Sequence, residues 1–178
     1  GCDPFGLALA AHRRGFGAEL YVTEEERLFV DSVRDPQKKE VIRLVLQDFR
    51  GQARRAGLTV HRRGISLAEI EAALDRGAIP VVLISSYALT GEKAPHWVAV
   101  TGHDDRFVYF HDPDPDPALA LDPGSGAVRT RMDCMNVPVP RESFLRIARY
   151  GASRLRAAVV ISPPAGTAGG RERMGGQQ

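Results

Sequence analysis

Apolar residues at helical spacing mark one long element and several short ones. Between Pro36 and about Arg55, Val41, Leu44, Val45 and Phe49 form a stripe with charged residues around it, which predicts an amphipathic helix with that stripe turned to the core. Near the start, Asp3 can cap a helix with Pro4 in its first turn, carried on by Leu7 to Arg14 and stopped by Gly15 and Gly17. Ala18–Val22 then reads as a short strand and Leu58–Arg62 as extended chain. Ser66 and Glu69 have capping-box spacing at the head of a helix to Arg76, which Gly77 ends before the apolar strand Ile79–Ser85. Further on, the pattern predicts a Pro-spaced acidic loop over 112–123, a strand over Gly126–Met132, a helix over Pro140–Tyr150 and a last strand over Arg154–Ile161. Residues 163–178 are Gly-rich and without periodicity, which predicts a disordered tail or linker after one domain over 1–162. Helices first and a mostly antiparallel sheet after them make this an α+β chain.

The runs Pro95–Gly102 and Phe107–Pro113 are rich in β-branched and aromatic residues, and the His103-Asp104-Asp105 segment between them is polar and turn-prone. A hairpin centred on Asp104 sets His96 directly opposite Asp112 on one face, with Cβ atoms about 5 Å apart, close enough for a carboxylate to hold an imidazole. A slip of one residue would separate them. Alternation puts Trp97, Ala99 and Thr101 on the other face, with Trp97 expected to be buried under the 36–55 helix.

Composition narrows the chemistry. A chain of 178 residues suits one domain, and no apolar run approaches the roughly 18 residues of a membrane span, so no membrane insertion is expected. Cys2 and Cys134 are too few for a disulfide framework and lack metal-site spacing, so a reducing cytoplasm is the expected compartment. The net charge of +2 is uneven: residues 100–122 hold six Asp against one Arg, and 123–178 hold nine Arg against three acids. Without aromatic interleaving the basic half reads as a solvated face, and no nucleic-acid partner is expected. Asp112, Asp114 and Asp116 open like a calcium loop, but Pro117 replaces the required Gly and Pro123 the bidentate Glu. His96, His103, His111 and Asp112 lack short zinc-ligand spacing, and phosphate-loop, dinucleotide and serine-elbow motifs are missing; neither metal nor cofactor is expected.

Gly77–Ile84, Pro95–Gly102 and Val108–Pro113 together resemble the strand before the active-site His, the His strand and the Asp-Pro strand of papain-like cysteine peptidases. The members concerned are those that process bacteriocin and other double-glycine leader peptides, together with their soluble peptidase-like relatives. The resemblance covers most of 1–161 and implies a papain-like fold, with N-terminal helices on a mostly antiparallel sheet. It implies His96 as general base and acid, Asp112 as its orienting partner, and a peptide or protein as substrate, with fusion to another domain also in keeping. Three placements of the nucleophile stay open. Cys2-Asp3-Pro4 is similar to the family's Cys-Gly-Pro at a helix N-terminus, with Asp3 where Gly is usual and no Gln upstream. Alternatively Phe5–Ala11 with Gly15-Phe16 is similar to the family's next helix, which puts the nucleophile before Gly1 and makes the domain N-terminally truncated; the opening at Gly1 instead of Met also suggests a piece of a longer protein. The third placement is no catalytic Cys at all. Cys134 reads as a plain small apolar residue. The expected activity is cysteine-type hydrolysis of a peptide bond in leader or modified peptides; the alternative is a non-catalytic peptide-binding or regulatory domain.

Overall fold

A computed structural model describes residues 2–26, 28–30, 33–87, 91, 94–113 and 131–164. Its elements are α1 (Pro4–His12), β1 (Gly17–Val22), α2 (Pro36–Arg55), β2 (Thr59–His61), α3 (Leu67–Asp75), β3 (Ile79–Ser85), β4 (Pro95–His103), β5 (Phe107–His111), β6 (Val137–Pro140), α4 (Arg141–Ile147) and β7 (Ala157–Ser162). The strands form one seven-stranded sheet in the order β2-β1-β7-β3-β4-β5-β6. Only β1 and β2 run parallel; β1–β7, β7–β3, β3–β4, β4–β5 and β5–β6 are antiparallel.

Helix starts follow local chemistry. Asp3 Oδ1 accepts the Gly6 N–H at 3.0 Å, Asp35 Oδ1 accepts those of Gln37 and Lys38 at 2.8 and 3.3 Å, and a proline follows each cap. At α3, Ser66 Oγ accepts the Glu69 N–H at 3.3 Å while Glu69 Oε2 accepts the Ser66 N–H at 3.0 Å, the reciprocal box its spacing predicts. Gly77, at φ +79°, supplies the left-handed residue that turns the chain into β3.

The two faces of the sheet carry two cores. On one, Val82, Ile84, Val98, Val100, Val108 and Phe110 meet Ile70 and Ala73 of α3 and Phe144 and Ile147 of α4. On the other, Leu20, Val22, Leu83 and Val159 meet Phe5, Ala8 and Leu9 of α1 and Leu46 and Ala53 of α2. β7 lies between β1 and β3 and buries successive residues, Ala157 to Val160, on both faces. Helices α1 and α2 approach closely: a Cβ on Gly6 would sit 3.0 Å from the Phe49 ring.

Several expectations need correction. Of the α2 stripe Phe49 packs on the core, but Val41, Leu44 and Val45 are 59%, 58% and 43% exposed, and the buried line runs through Leu46 and Ala53. Residues 114–130, which carry most of the acidic loop and the predicted strand over Gly126–Met132, lie outside the described residues, except that Arg131–Cys134 form a 3-10 turn in place of the end of that strand. The next strand is β6, which the sequence reading missed, and α4 is shorter than Pro140–Tyr150 because Tyr150 bridges to Leu155 instead. Residues 165–178, with most of the predicted tail, also lie outside the described residues. Among the described residues no helix is long and apolar enough to cross a membrane.

Glu69 makes the α3 cap sensitive to acid. The Arg63 guanidinium, with Nη1 at 2.8 Å from Oε2, holds the Glu69 carboxyl well below the usual carboxylate range, helped by the Ser66 hydroxyl and backbone N–H. A carboxyl depressed by folding adds stability that is complete above its unfolded pKa and is lost as pH falls through the carboxylate range. Urea midpoints at pH 7 and pH 3 are therefore expected to fall further apart in the native chain than in Glu69→Gln.

Candidate active site

His96 is the second residue of β4, paired with Ile84 of β3. Its side chain shares a face with Val98 and Val100, beyond the end of their buried row. The hairpin does not turn on Asp104. Asp104 N–H bonds to Phe107 O at 3.0 Å and Asp104 Oδ1 accepts the N–H groups of Arg106 and Phe107, so Asp105 and Arg106 make the tight turn. From there Val108 pairs with His103 and Tyr109 with Gly102; after a bulge at Thr101, Phe110 pairs with Val100 and His111 with Ala99. Extended one residue, this register sets Asp112 beside Val98. His96 and Asp112 are thus not directly opposed but diagonal, two positions apart on the same face, a separation that long side chains span.

They meet. His96 Nε2 lies 2.6 Å from Asp112 Oδ1, with the two side chains 19% and 18% exposed. An ionised carboxylate only accepts, so the bond puts the imidazole proton on Nε2 and leaves the Nδ1 lone pair as a base. Asp112 is itself anchored, its N–H donating to Cys134 O at 2.8 Å. On the same face Ser86, a buried polar residue, clamps the mouth of the β3–β4 hairpin: its hydroxyl donates to Ala94 O at 3.1 Å and accepts from Ala94 N at 3.3 Å. Sequence reasoning missed Ser86, for which a serine at a strand end offers no distinctive signal.

Trp97 points to the opposite face, as alternation requires, but it is not buried under α2. It is partly exposed at one side of an apolar groove of about 590 Å³ between α1 and α2, whose walls include Leu7, Ala10, Val41 and Val45. Its Nε1 donates to Cys2 O at 3.0 Å, which ties the head of α1 to the Trp97 face of β4 and not to the His96 face. Cys2 is exposed and also borders the groove. Burial pushes the neighbouring Asp3 carboxyl above its ordinary range, against the pull of the Gly6 and Phe5 N–H groups. The structure therefore brings His96 and Asp112 together and anchors Cys2 through its carbonyl elsewhere. Cys134 contributes its carbonyl to the site's frame.

His103 and His111 have separate partners. His103 Nε2 lies 3.4 Å from Asp75 Oδ1, and His111 Nδ1 accepts the Asn136 N–H at 3.0 Å. No three His, Cys, Asp or Glu side chains among the described residues gather as a metal-binding group.

This geometry predicts the behaviour of the thiols. A soluble electrophile is expected to modify exposed Cys2 faster than half-buried Cys134, and His96→Ala is expected to leave that ratio unchanged. Mass spectrometry of labelled peptides checks it; a ratio that collapses in His96→Ala would show that Cys2 is activated by the imidazole.

No curated protein and no solved structure matches this chain. A family model described as Peptidase_C39 like family matches residues 1–162, a span that includes the His96–Asp112 pair and every strand of the sheet. The chain belongs to the Peptidase_C39-like family.

Proposed function

We propose that this domain is a cysteine-type peptidase of papain-like architecture that hydrolyses a peptide bond in leader or modified peptides in a reducing cytoplasm. The observation that carries the reading is the 2.6 Å bond between His96 Nε2 and Asp112 Oδ1, which leaves Nδ1 free to work. A thiol at that edge loses its proton to Nδ1, and the thiolate attacks the scissile carbonyl carbon. The C–N bond then breaks as the imidazolium returns the proton to the departing amine. Water, deprotonated by the same nitrogen, opens the thioester and releases the acid and the thiol. Asp112 stabilises the imidazolium in each half-reaction.

The bond from Trp97 to Cys2 O favours the alignment in which α1 is the helix after the nucleophile helix. On that alignment the reacting thiol belongs to a segment outside residues 1–178. The same bond, with the open groove beside it, supports a second reading in which the domain binds peptides without cutting them.

One experiment separates the readings. The natural full-length protein is incubated with a peptide library that includes double-glycine sequences, alongside its His96→Ala and Cys2→Ser forms, and products are read by mass spectrometry. Cleavage that His96→Ala abolishes and Cys2→Ser preserves is the expected result. Retention of peptides with no cleavage by the unaltered protein would establish the second reading and overturn the first.

A further inference from the structure

One residue of register decides whether His96 and Asp112 can meet. Between the tight turn and Thr101, β4 and β5 pair as His103–Val108 and Gly102–Tyr109. Continued unbroken, that pairing would bring Asp112 opposite Ala99, onto the face of Trp97. The bulge at Thr101 displaces the pairing by one residue, to Val100–Phe110 and Ala99–His111, and so carries Asp112 onto the face of His96.

The bulge is gripped from outside the hairpin. Thr101 Oγ1 donates to Asn136 Oδ1 at 2.9 Å. Asn136 sits at φ +49°, in the left-handed region that asparagine tolerates better than most residues, and its N–H donates to His111 Nδ1 at 3.0 Å. Two residues earlier, Cys134 O accepts the Asp112 N–H at 2.8 Å. The turn leading into β6 therefore holds both strands of the hairpin: β4 at the bulged residue, and the end of β5 at His111 and Asp112.

We infer that Thr101, Asn136 and His111 form a register lock, in which Asn136 is a positioning residue that keeps the bulge at Thr101 and thereby keeps Asp112 on His96. This rests on reading His96 and Asp112 as a working pair. Neither Thr101 nor Asn136 bonds to His96 or Asp112 through its side chain, so the lock acts through backbone register alone.

The test is ¹⁵N NMR of the His96 ring in the full chain, with Asp112→Asn as the reference for a broken pair. Thr101→Val and Asn136→Gly, the latter keeping a residue at ease at positive φ, are expected to speed exchange of the His96 ring proton with water roughly two- to ten-fold, the factor that one side-chain hydrogen bond commands. Thr101→Ser keeps the hydroxyl and should restore the native rate. Deleting Thr101 removes the extra residue itself and leaves Asp112 beside Val98, so in that background Asn136→Gly should no longer change the exchange rate. Native exchange in both point variants, or an undiminished effect of Asn136→Gly in a folded deletion variant, would overturn the lock. Should the deletion variant fail to fold, the point variants decide. None of these readouts requires peptide cleavage, so failure of the lock and failure of the peptidase reading are distinguishable.

Discussion

His96→Ala is expected to lower peptide hydrolysis by about 10²- to 10⁴-fold, the range over which a positioned acid–base group contributes. The loss is large because in the proposed mechanism the same imidazole acts several times: it takes the thiol proton, protonates the amine and activates water. Asp112→Asn should lose activity over a comparable range for a different reason. An amide can meet Nε2 with either its oxygen or its NH₂, so the ring is no longer held to the tautomer that frees Nδ1, and the imidazolium loses its counter-charge. Both side chains are roughly four-fifths buried where they meet, so water cannot fully replace the lost carboxylate. Initial rates of cleavage for the two variants and their double mutant check this. If the residues act as one unit, the double mutant is about as slow as His96→Ala alone.

The largest loss of stability is expected at Phe110. Its ring is fully buried, between Val100 of β4 and Val137 of β6 in the ladder and in one core with Phe144 of α4. Phe110→Ala removes a large apolar side chain from a region braced by three strands and a helix, where the cavity can close only in part. Such truncations cost about 3–5 kcal/mol. A domain holds only about 5–15 kcal/mol in all, so the variant should unfold at a markedly lower urea concentration with little change in slope. A midpoint within error of the native protein would show that this core is not packed as described.

The residues that the sequence placed well are those whose instructions are local. Asp3-Pro4, Asp35-Pro36 and the Ser66–Glu69 box each satisfy helix N–H groups within one turn, and all three helices begin where these signals stand. The His–Asp hairpin was legible as two strands but not in register. The segment His103 to Arg106 can turn in more than one way, and nothing near Thr101 announces a bulge whose anchor, Asn136, lies 35 residues on. The predicted face was still right, because moving the turn and inserting the bulge together shift the pairing by an even number of residues. β6 was hidden by Pro138 and Pro140; prolines argue against an inner strand, but β6 is an edge strand, where a missing N–H leaves no bond unmade. The α2 stripe misled because periodicity identifies an apolar face without saying whether the rest of the fold covers it.

Trp97 is the one tryptophan in the chain, and its indole N–H is bound to a backbone carbonyl at the head of α1 while its neighbour His96 belongs to the other side of the sheet. The protein thus carries an intrinsic fluorophore on the groove side, one residue from His96 yet separated from its imidazole by the thickness of a strand. Emission at the red edge should follow whatever enters the groove or lifts α1 away. It should stay unaltered when Asp112→Asn removes the carboxylate from His96 on the opposite face, which makes occupancy of the groove and the state of the His96–Asp112 pair two separable quantities in one molecule.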